Sequence, residues 1–416
     1  MLPRERATVW ILWITYGAFY FCRTNISAAV PGMQAELGFT KTQIGLVLGA
    51  LKLAYGLGQF VNGQLAEQVS ARWLLAIGML ASALLNVVFG FGTALYFLLF
   101  VWACNGYCQA LGWTPAMRVV ANWVPVAGRG KAIGIIGTGY QATAAVTFAV
   151  SGWSAERLGW RGALYVPAAL LAVAAVGMLL FLKEAPEGPQ RSTIRHSNGR
   201  AAGPTWHNIA VTLANPALWL LAVSLGLLNA ARYGFVDWGL THLKEAQGIG
   251  VGRAALNYAI LPLGGIAGAY LAGWATDRWF GSRRAPVIVI LLLLLGALTL
   301  TYDQVARANN GWTVVVLVLV GFTIYGPQVL LVGTAPVDLA RRDTGAAAAG
   351  FVNFMGYMGA YAGDQMTGRL VDQHGWRTAV MAWAGCAFAA AAASALLWNA
   401  TAPVPAKEPQ AAEAAA

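Results

Sequence analysis

Between Ala7 and Ala35 the chain carries a single charged residue, Arg23, inside the run WILWITYGAFYFCRTNISAAV (Trp10 to Val30). The run is long enough to cross a bilayer as a helix. Arg23 sits about 16 residues from Ala7, or ~24 Å along at the helical rise, which is near mid-membrane. A charge at that depth costs roughly 2.5–3.5 kcal/mol on insertion scales unless it faces a protein interior or water. Two readings follow. In one, the guanidinium snorkels to an interface or pairs structurally with a carboxylate; in the other, it is an anion-binding site in the middle of a transport path. A second stretch, LLNAARYGFVDWGL (Leu227 to Leu240), puts Arg232 in the middle of another apolar helix, 209 residues after Arg23 and about half a chain away.

The rest of the composition agrees with a membrane setting. Of 416 residues 58% are hydrophobic and 10% charged, with a mean hydropathy of +0.59, where a soluble chain of this length carries about 25% charged residues. The 49 glycines and the alanine-rich runs suit close packing of transmembrane helices. The first apolar run is too long for a signal peptide and lacks a small-residue cleavage site. A net charge of +11 invites a nucleic-acid reading, but no basic block or aromatic-basic module accompanies it. Cys22, Cys104, Cys108 and Cys386 lie in apolar spans with no zinc or redox spacing, and they read as small packing residues. No metal or cofactor is expected.

Twelve apolar spans begin near Ala7, Thr42, Trp73, Ala94, Gly130 and Gly162, and then near Pro216, Arg253, Ala285, Gly311, Thr344 and Ala379. The expected architecture is all-α: a six-helix bundle over residues 1–183, a linker at 184–210, a second six-helix bundle over 211–400 and an unstructured tail at 401–416. With the linker side counted as one face, sixteen of the 27 Lys and Arg residues fall there and eight on the other; Arg23, Lys52 and Arg232 belong to neither. The positive-inside rule makes the linker side cytoplasmic, with both termini on it.

The halves echo each other. GQLAEQVSARW (Gly63 to Trp73) matches GWATDRWFGSRR (Gly273 to Arg284), with Glu67 and Asp277 in register, and LGWRGALYV (Leu158 to Val166) matches HGWRTAVMA (His374 to Ala382). Parallel repeats with a site at their interface are a transporter architecture. Polarity is periodic as well. Spans three, six, nine and twelve lack central charges and read as lipid-facing scaffold. Spans one, four, seven and ten carry Arg, Trp, Gln and Asn beside Gly and Pro, and broken helices at membrane depth line cavities.

The loops after spans two and eight resemble the major facilitator superfamily. More narrowly, YFCRTN, YGLGQFVNG, NGYCQALGWTPAMR, ARYGFVDWGLTHLKE, IYGPQVLL and GFVNFMGYMG are similar to signatures of the organophosphate:phosphate antiporter family. The resemblance covers nearly all spans and implies two six-helix bundles around a pore closed alternately from each side. It also implies a monomeric transporter of the bacterial inner membrane rather than an enzyme, exchanging a small phosphorylated metabolite for inorganic phosphate. In that family one arginine from the first helix and one from the seventh grip the phosphate, at the positions of Arg23 and Arg232. Tyr16, Tyr20, Tyr55, Trp113, Tyr233 and Tyr325 fall at or near its aromatic lining.

The departures are specific. Gln59 stands where those transporters carry lysine in the second helix, Thr24 replaces a basic residue, and Tyr140 replaces a histidine of the glycerol-phosphate carriers. Lys52 shares a helical face with Tyr55 and Gln59; it either supplies the missing cation or snorkels to the nearer interface. Asp364, within the eleventh span, pairs with a cation, binds sugar hydroxyls or titrates. Asp237 reads as holding the end of its helix, and Asp303, Asp338 and Asp343 as solvated helix-end charges. Two alternatives remain open: a proton-coupled transporter of another organic anion using Asp364, and a non-transporting membrane sensor of the hexose-phosphate type.

Overall fold

The computed structural model describes residues 2–186, 210–308, 311–340 and 344–400, with backbone alone at 60, 63, 64, 66–68, 126, 127 and 346. Almost all of the linker read at 184–210, the whole tail at 401–416, and Arg341, Arg342 and Asp343 lie outside the described residues. The regular structure described is helical throughout. Segment one is α1 (Pro3–Ala18), a 3-10 turn (Phe19–Cys22) and α2 (Ile26–Leu37). Segments two and three are α3 (Lys41–Gln68) and α4 (Ala71–Gly90). Segment four is α5 (Leu95–Gln109) with α6 (Trp113–Trp123), and segments five and six are α7 (Val126–Leu158) and α8 (Gly162–Phe181). In the second half, segment seven is α9 (Pro216–Tyr233), a π-helical turn (Gly234–Trp238) and α10 (Gly239–Gln247). Segment eight is α11 (Val251–Tyr258) with α12 (Ile260–Trp279), and segment nine is α13 (Ala285–Arg307). Segment ten is α14 (Trp312–Val329), a second π-helical turn (Leu330–Thr334) and α15 (Ala335–Leu339). Segments eleven and twelve are α16 (Gly345–His374) and α17 (Trp376–Ala395).

Among the described residues nine helical stretches are long and apolar enough to cross a membrane. Segments one, two and eleven are not among them, and these carry Arg23, Lys52 and Asp364. These three side chains are buried inside the molecule, away from lipid. The scaffold segments show the reverse. On α4 the exposed apolar residues Trp73, Ile77, Leu80 and Leu84 form one helical stripe, and on α8 Val173, Val176 and Leu180 do the same.

Packing repeats from half to half. Segment one lies on five, two on four and three on six; seven lies on eleven, eight on ten and nine on twelve. The repeat extends to side chains. Trp160 donates its indole N–H to Glu36 at 2.8 Å, and Trp376 donates to Glu245 at 2.6 Å. Glu36 and Glu245 are 209 residues apart, as are Arg23 and Arg232.

The halves meet through α3 on α16 and through α7 on α11 and α12. At the end where α3 begins, called here the Lys41 end, the Asp372 carboxylate of α16 accepts hydrogen bonds from the Lys41 N–H (3.1 Å), the Thr42 N–H (2.7 Å) and the Thr42 hydroxyl (2.6 Å). Thr40 and Gln43 close a capping box on the same helix start. The free amides and positive dipole end of α3 are thus partly satisfied by the other half of the molecule. Lys41 also pairs with Glu245 at 3.1 Å.

Two charges read as solvated are instead tied down. Asp303 accepts from buried His242 at 2.8 Å and from Arg307 at 3.0 Å, and Asp338 accepts from Arg284 at 2.9 Å, an arginine that also holds Asp277 at 2.9 Å. Both belong to networks that fasten segment ends.

Glycine sets how closely α12 and α14 approach. A methyl group at Gly321 would run into the Leu261 carbonyl, whereas one at Gly273 would meet open space. Gly321→Ala is expected to cost about 1–3 kcal/mol through overpacking and to lower the thermal midpoint of the detergent-purified protein. Gly273→Ala, in the partner helix α12, is expected to leave that midpoint unchanged or raise it slightly.

Candidate functional site: a buried arginine pair in an aromatic cage

Arg23 stands where α1 breaks. The 3-10 turn ends on Cys22, and the Arg23 and Thr24 N–H groups both donate to the Tyr20 carbonyl before α2 begins. A break leaves carbonyls without helical partners. Side chains of the neighbouring segments supply donors: Gln109 reaches the Phe19 carbonyl at 2.9 Å and Asn105 reaches the Cys22 carbonyl at 2.9 Å. Ser82 donates to Asn105 at 2.6 Å, Gln109 donates to Ser82 at 2.8 Å, and Asn25 donates to Asn86 at 2.9 Å. The polar residues of NGYCQALGWTP that read as cavity lining therefore include two, Asn105 and Gln109, whose work is to hold the break that presents Arg23.

Arg232 is the penultimate residue of α9, just before the π-helical turn Gly234–Trp238, where the chain runs past Trp383 so closely that any side chain at Gly234 would strike the indole. Each half thus presents its arginine at an irregularity in its first segment. The side chains of Arg23 and Arg232 are 6% and 3% exposed. No carboxylate pairs with either among the described residues; each guanidinium lies against rings instead. Arg23 is 4.0 Å from the centre of the Tyr55 ring and 5.1 Å from Tyr20, while Arg232 is 4.7 Å from Tyr233 and 5.1 Å from Tyr325. Nε and Nη2 of Arg23 and Nε of Arg232 are buried without a hydrogen-bond acceptor.

The other aromatics read from the sequence join these four. Tyr16 packs on Trp113 at 4.9 Å and on Tyr20 and Tyr140 at 6.2 Å each; Tyr20 stacks on Tyr140 at 4.9 Å. Tyr140 meets Tyr325 of the other half at 6.2 Å. Tyr357, which the sequence reading missed, closes the cage from α16 by packing on Tyr55 at 4.5 Å. Its only sequence signal is its place in GFVNFMGYMG. Gln59 accepts a hydrogen bond from Asn353 across the halves at 3.3 Å.

Lys52 is 3% exposed and lies inside the molecule rather than at an interface. Its ammonium donates to the Leu48 carbonyl at 3.0 Å and to Asp237, and forms an ion pair with Asp364 at 2.8 Å. Asp237, read as holding the end of its own helix, reaches across to the other half instead. Asp364 is fully buried, and neither of its oxygens receives an aligned hydrogen bond. Among the described residues no cluster of His, Cys, Asp and Glu could hold a metal ion.

Two always-charged forks with spare donors, one from each half among the same group of rings, are suited to an oxyanion. Residues 12–363 match the Major Facilitator Superfamily. The chain belongs to that superfamily. Within it the chain falls in the organophosphate:phosphate antiporter family: it is 31% identical to a glycerol-3-phosphate transporter of Bacillus subtilis over 95% of this chain and 93% of that one. A probable hexose phosphate transport protein of Chlamydia pneumoniae is 28% identical over 94% and 90%, and a membrane sensor protein, UhpC, of Salmonella typhimurium is 31% identical over 84% and 81%. Among solved structures, a bacterial homologue of the human lysosomal transporter Spinster, in an inward-facing and occupied conformation, superposes with a TM-score of 0.77. The superposition covers 95% of this chain and 97% of that one at 17% identity, which speaks to the fold alone. This superfamily member is a multi-pass membrane protein, not an enzyme.

Arg23→Lys and Arg232→Lys keep the charge and lose the planar fork. Each variant is expected to insert in the membrane and to lose roughly 30-fold to several-thousand-fold in affinity for inorganic phosphate, the equivalent of about 2–5 kcal/mol. Because both guanidiniums would touch one ligand, the double variant should lose much less than the sum. Isothermal titration on purified wild type, both single variants and the double variant measures this; near-normal phosphate binding in either lysine variant would defeat the clamp.

Proposed function

We propose that this protein is a secondary active transporter of the bacterial inner membrane. It imports an organophosphate, such as a sugar phosphate, glycerol phosphate or a similar anion, in exchange for inorganic phosphate by alternating access. The observation that carries this reading is the Arg23 and Arg232 pair, one from each half, with buried donor nitrogens lacking acceptors inside a cage of tyrosines. The names of the glycerol-3-phosphate and hexose phosphate relatives support the substrate class.

The contacts between halves fit a rocking mechanism. On one side of the arginine pair lie Asp372 with Thr42, Lys41 with Glu245, and Lys52 with Asp237 and Asp364; on the other lies Gln59 with Asn353. With the linker side cytoplasmic, as the loop charges sort, the Lys41 end faces the periplasm and both termini the cytoplasm. Alternating access makes and breaks these two sets in turn. Phosphate between the guanidiniums relieves their mutual repulsion and draws the halves together, and it speeds interconversion if the closed intermediate binds it better than either open state does. An empty carrier keeps two facing cations, which disfavours return without cargo.

Two other readings rest on specific observations. The buried Asp364 carboxylate is the group a proton-coupled carrier would use, and the UhpC relative keeps a sensor in view. Reconstituted vesicles separate the three. Liposomes loaded with inorganic phosphate are expected to take up labelled glycerol phosphate or hexose phosphate, and empty ones are not. Equal uptake by empty vesicles under an imposed pH gradient would favour proton coupling. Binding without uptake under either condition would favour the sensor.

A further inference from the structure

The repeated Gly-Trp-Arg turns at 159–161 and 375–377 end α7 and α16 on glycines in the left-handed region, with φ of +73° and +80°. In each half a carboxylate lies three residues before that glycine: Glu156 and Asp372, 216 residues apart, as the two glycines are. Each carboxylate reaches the start of a helix in the other half. Asp372 accepts from the N–H groups of Lys41 and Thr42, the first two residues of α3, and from the Thr42 hydroxyl. Glu156 lies over the start of α11, so close that a methyl group at Gly250 or Gly252 would strike its carboxylate oxygens. Gly250 and Gly252 follow Thr40 and Thr42 by 210 residues, so the two carboxylates occupy equivalent places.

We propose that Glu156 and Asp372 are paired clasps that hold the mouth of the carrier shut at the Lys41 end and make that closed mouth its resting state. The proposal rests on the alternating-access reading and names what locks one of its states.

Helix-end chemistry supplies the force. The first N–H groups of a helix lack helical acceptors and carry the positive end of its dipole, so a carboxylate is a favourable partner. Thr40 caps α3 with its side chain, whereas the Gly250 that begins α11 has none to offer. One clasp sits on each seam between the halves, α3 with α16 and α7 with α11. Beside the second seam a crevice of about 230 Å³ remains, lined by Ala28 and Ala35 of α2, Ala155 of α7, Lys244 of α10 and Val251 of α11. Ala35 is exposed, and Ala28, two turns deeper along α2, is 1% exposed. The clasps are unequal. At the first, Lys41 also pairs with Glu245 at 3.1 Å and the Thr42 hydroxyl adds a bond. Val251 and Gly252 hold the equivalent places on α11 and can add neither, so Asp372 carries the stronger clasp.

The test puts one reporter, Ala28→Cys, in the full-length protein in detergent. It measures the rate at which a charged, water-soluble methanethiosulfonate modifies that thiol, with the protein carrying only its four native cysteines as background. Adding Asp372→Asn is expected to speed modification roughly tenfold or more, and adding Glu156→Gln about twofold to tenfold. Gly252→Ala keeps every charge but displaces Glu156, so it should match Glu156→Gln, and the two together should do no more than either alone. Thermal midpoints recorded alongside separate opening from unfolding; if Asp372→Asn does not fold, the Glu156 and Gly252 variants decide. Rates equal to that of the reporter protein in every folded variant overturn the clasps. So does a Gly252→Ala effect that adds in full to that of Glu156→Gln, because packing of α11 would then be its cause. A reporter that never reacts in any folded variant shows that the halves do not part at this end, which overturns the alternating-access reading itself.

Discussion

Two guanidinium groups buried at the centre of a membrane protein, with no carboxylate on either among the described residues, are a debt that the surrounding structure is built to reduce. Removing such an ion from water costs several kcal/mol even after relaxation. The tyrosine faces around Arg23 and Arg232 each return about 0.5–2 kcal/mol as cation–π contacts, so the cage lessens the cost without cancelling it. What remains is held in donor nitrogens that have no acceptor. An anion between the two arginines would supply acceptors and countercharge to both at once, from opposite halves of the molecule. Binding and movement of the halves are then coupled by one electrostatic term.

That term depends on backbone irregularity. Each arginine sits beside a break, a 3-10 turn in segment one and a π-helical turn in segment seven. Breaks expose carbonyls, and in the first half Asn105 and Gln109 cover them. The network around them, which also includes Ser82, Asn86 and Asn25, is buried, and its polar groups bond to one another and to the backbone of the break. Small residues make the rest possible. Glycines along α12, α14 and α16 bring backbones close enough that the segments need no polar fastening at mid-membrane, and charge is reserved for the centre and the two ends.

The sequence by itself determined the class of molecule and the main actors. Span count, the two-fold repeat and the breaks in segments one, four, seven and ten are local or periodic signals, written in hydropathy, glycine, proline and an arginine where lipid would forbid one. Most of the cage was legible too: Tyr16, Tyr20, Trp113, Tyr233 and Tyr325 lie in those broken segments, and Tyr55 and Tyr140 fall at positions that the family resemblance marks. Packing of α3 on α16, and of α16 on α9, decided the rest. Lys52 finds Asp237 and Asp364, 185 and 312 residues away, only because that packing brings three inward faces together. Tyr357 joins the cage, and Asp372 caps α3, by the same contact. An ion pair depends on where side chains end in space, and no periodicity along one segment records which face of a distant segment it will meet. The sequence could therefore name Lys52 as misplaced, but only the tertiary structure could show that two carboxylates hold it.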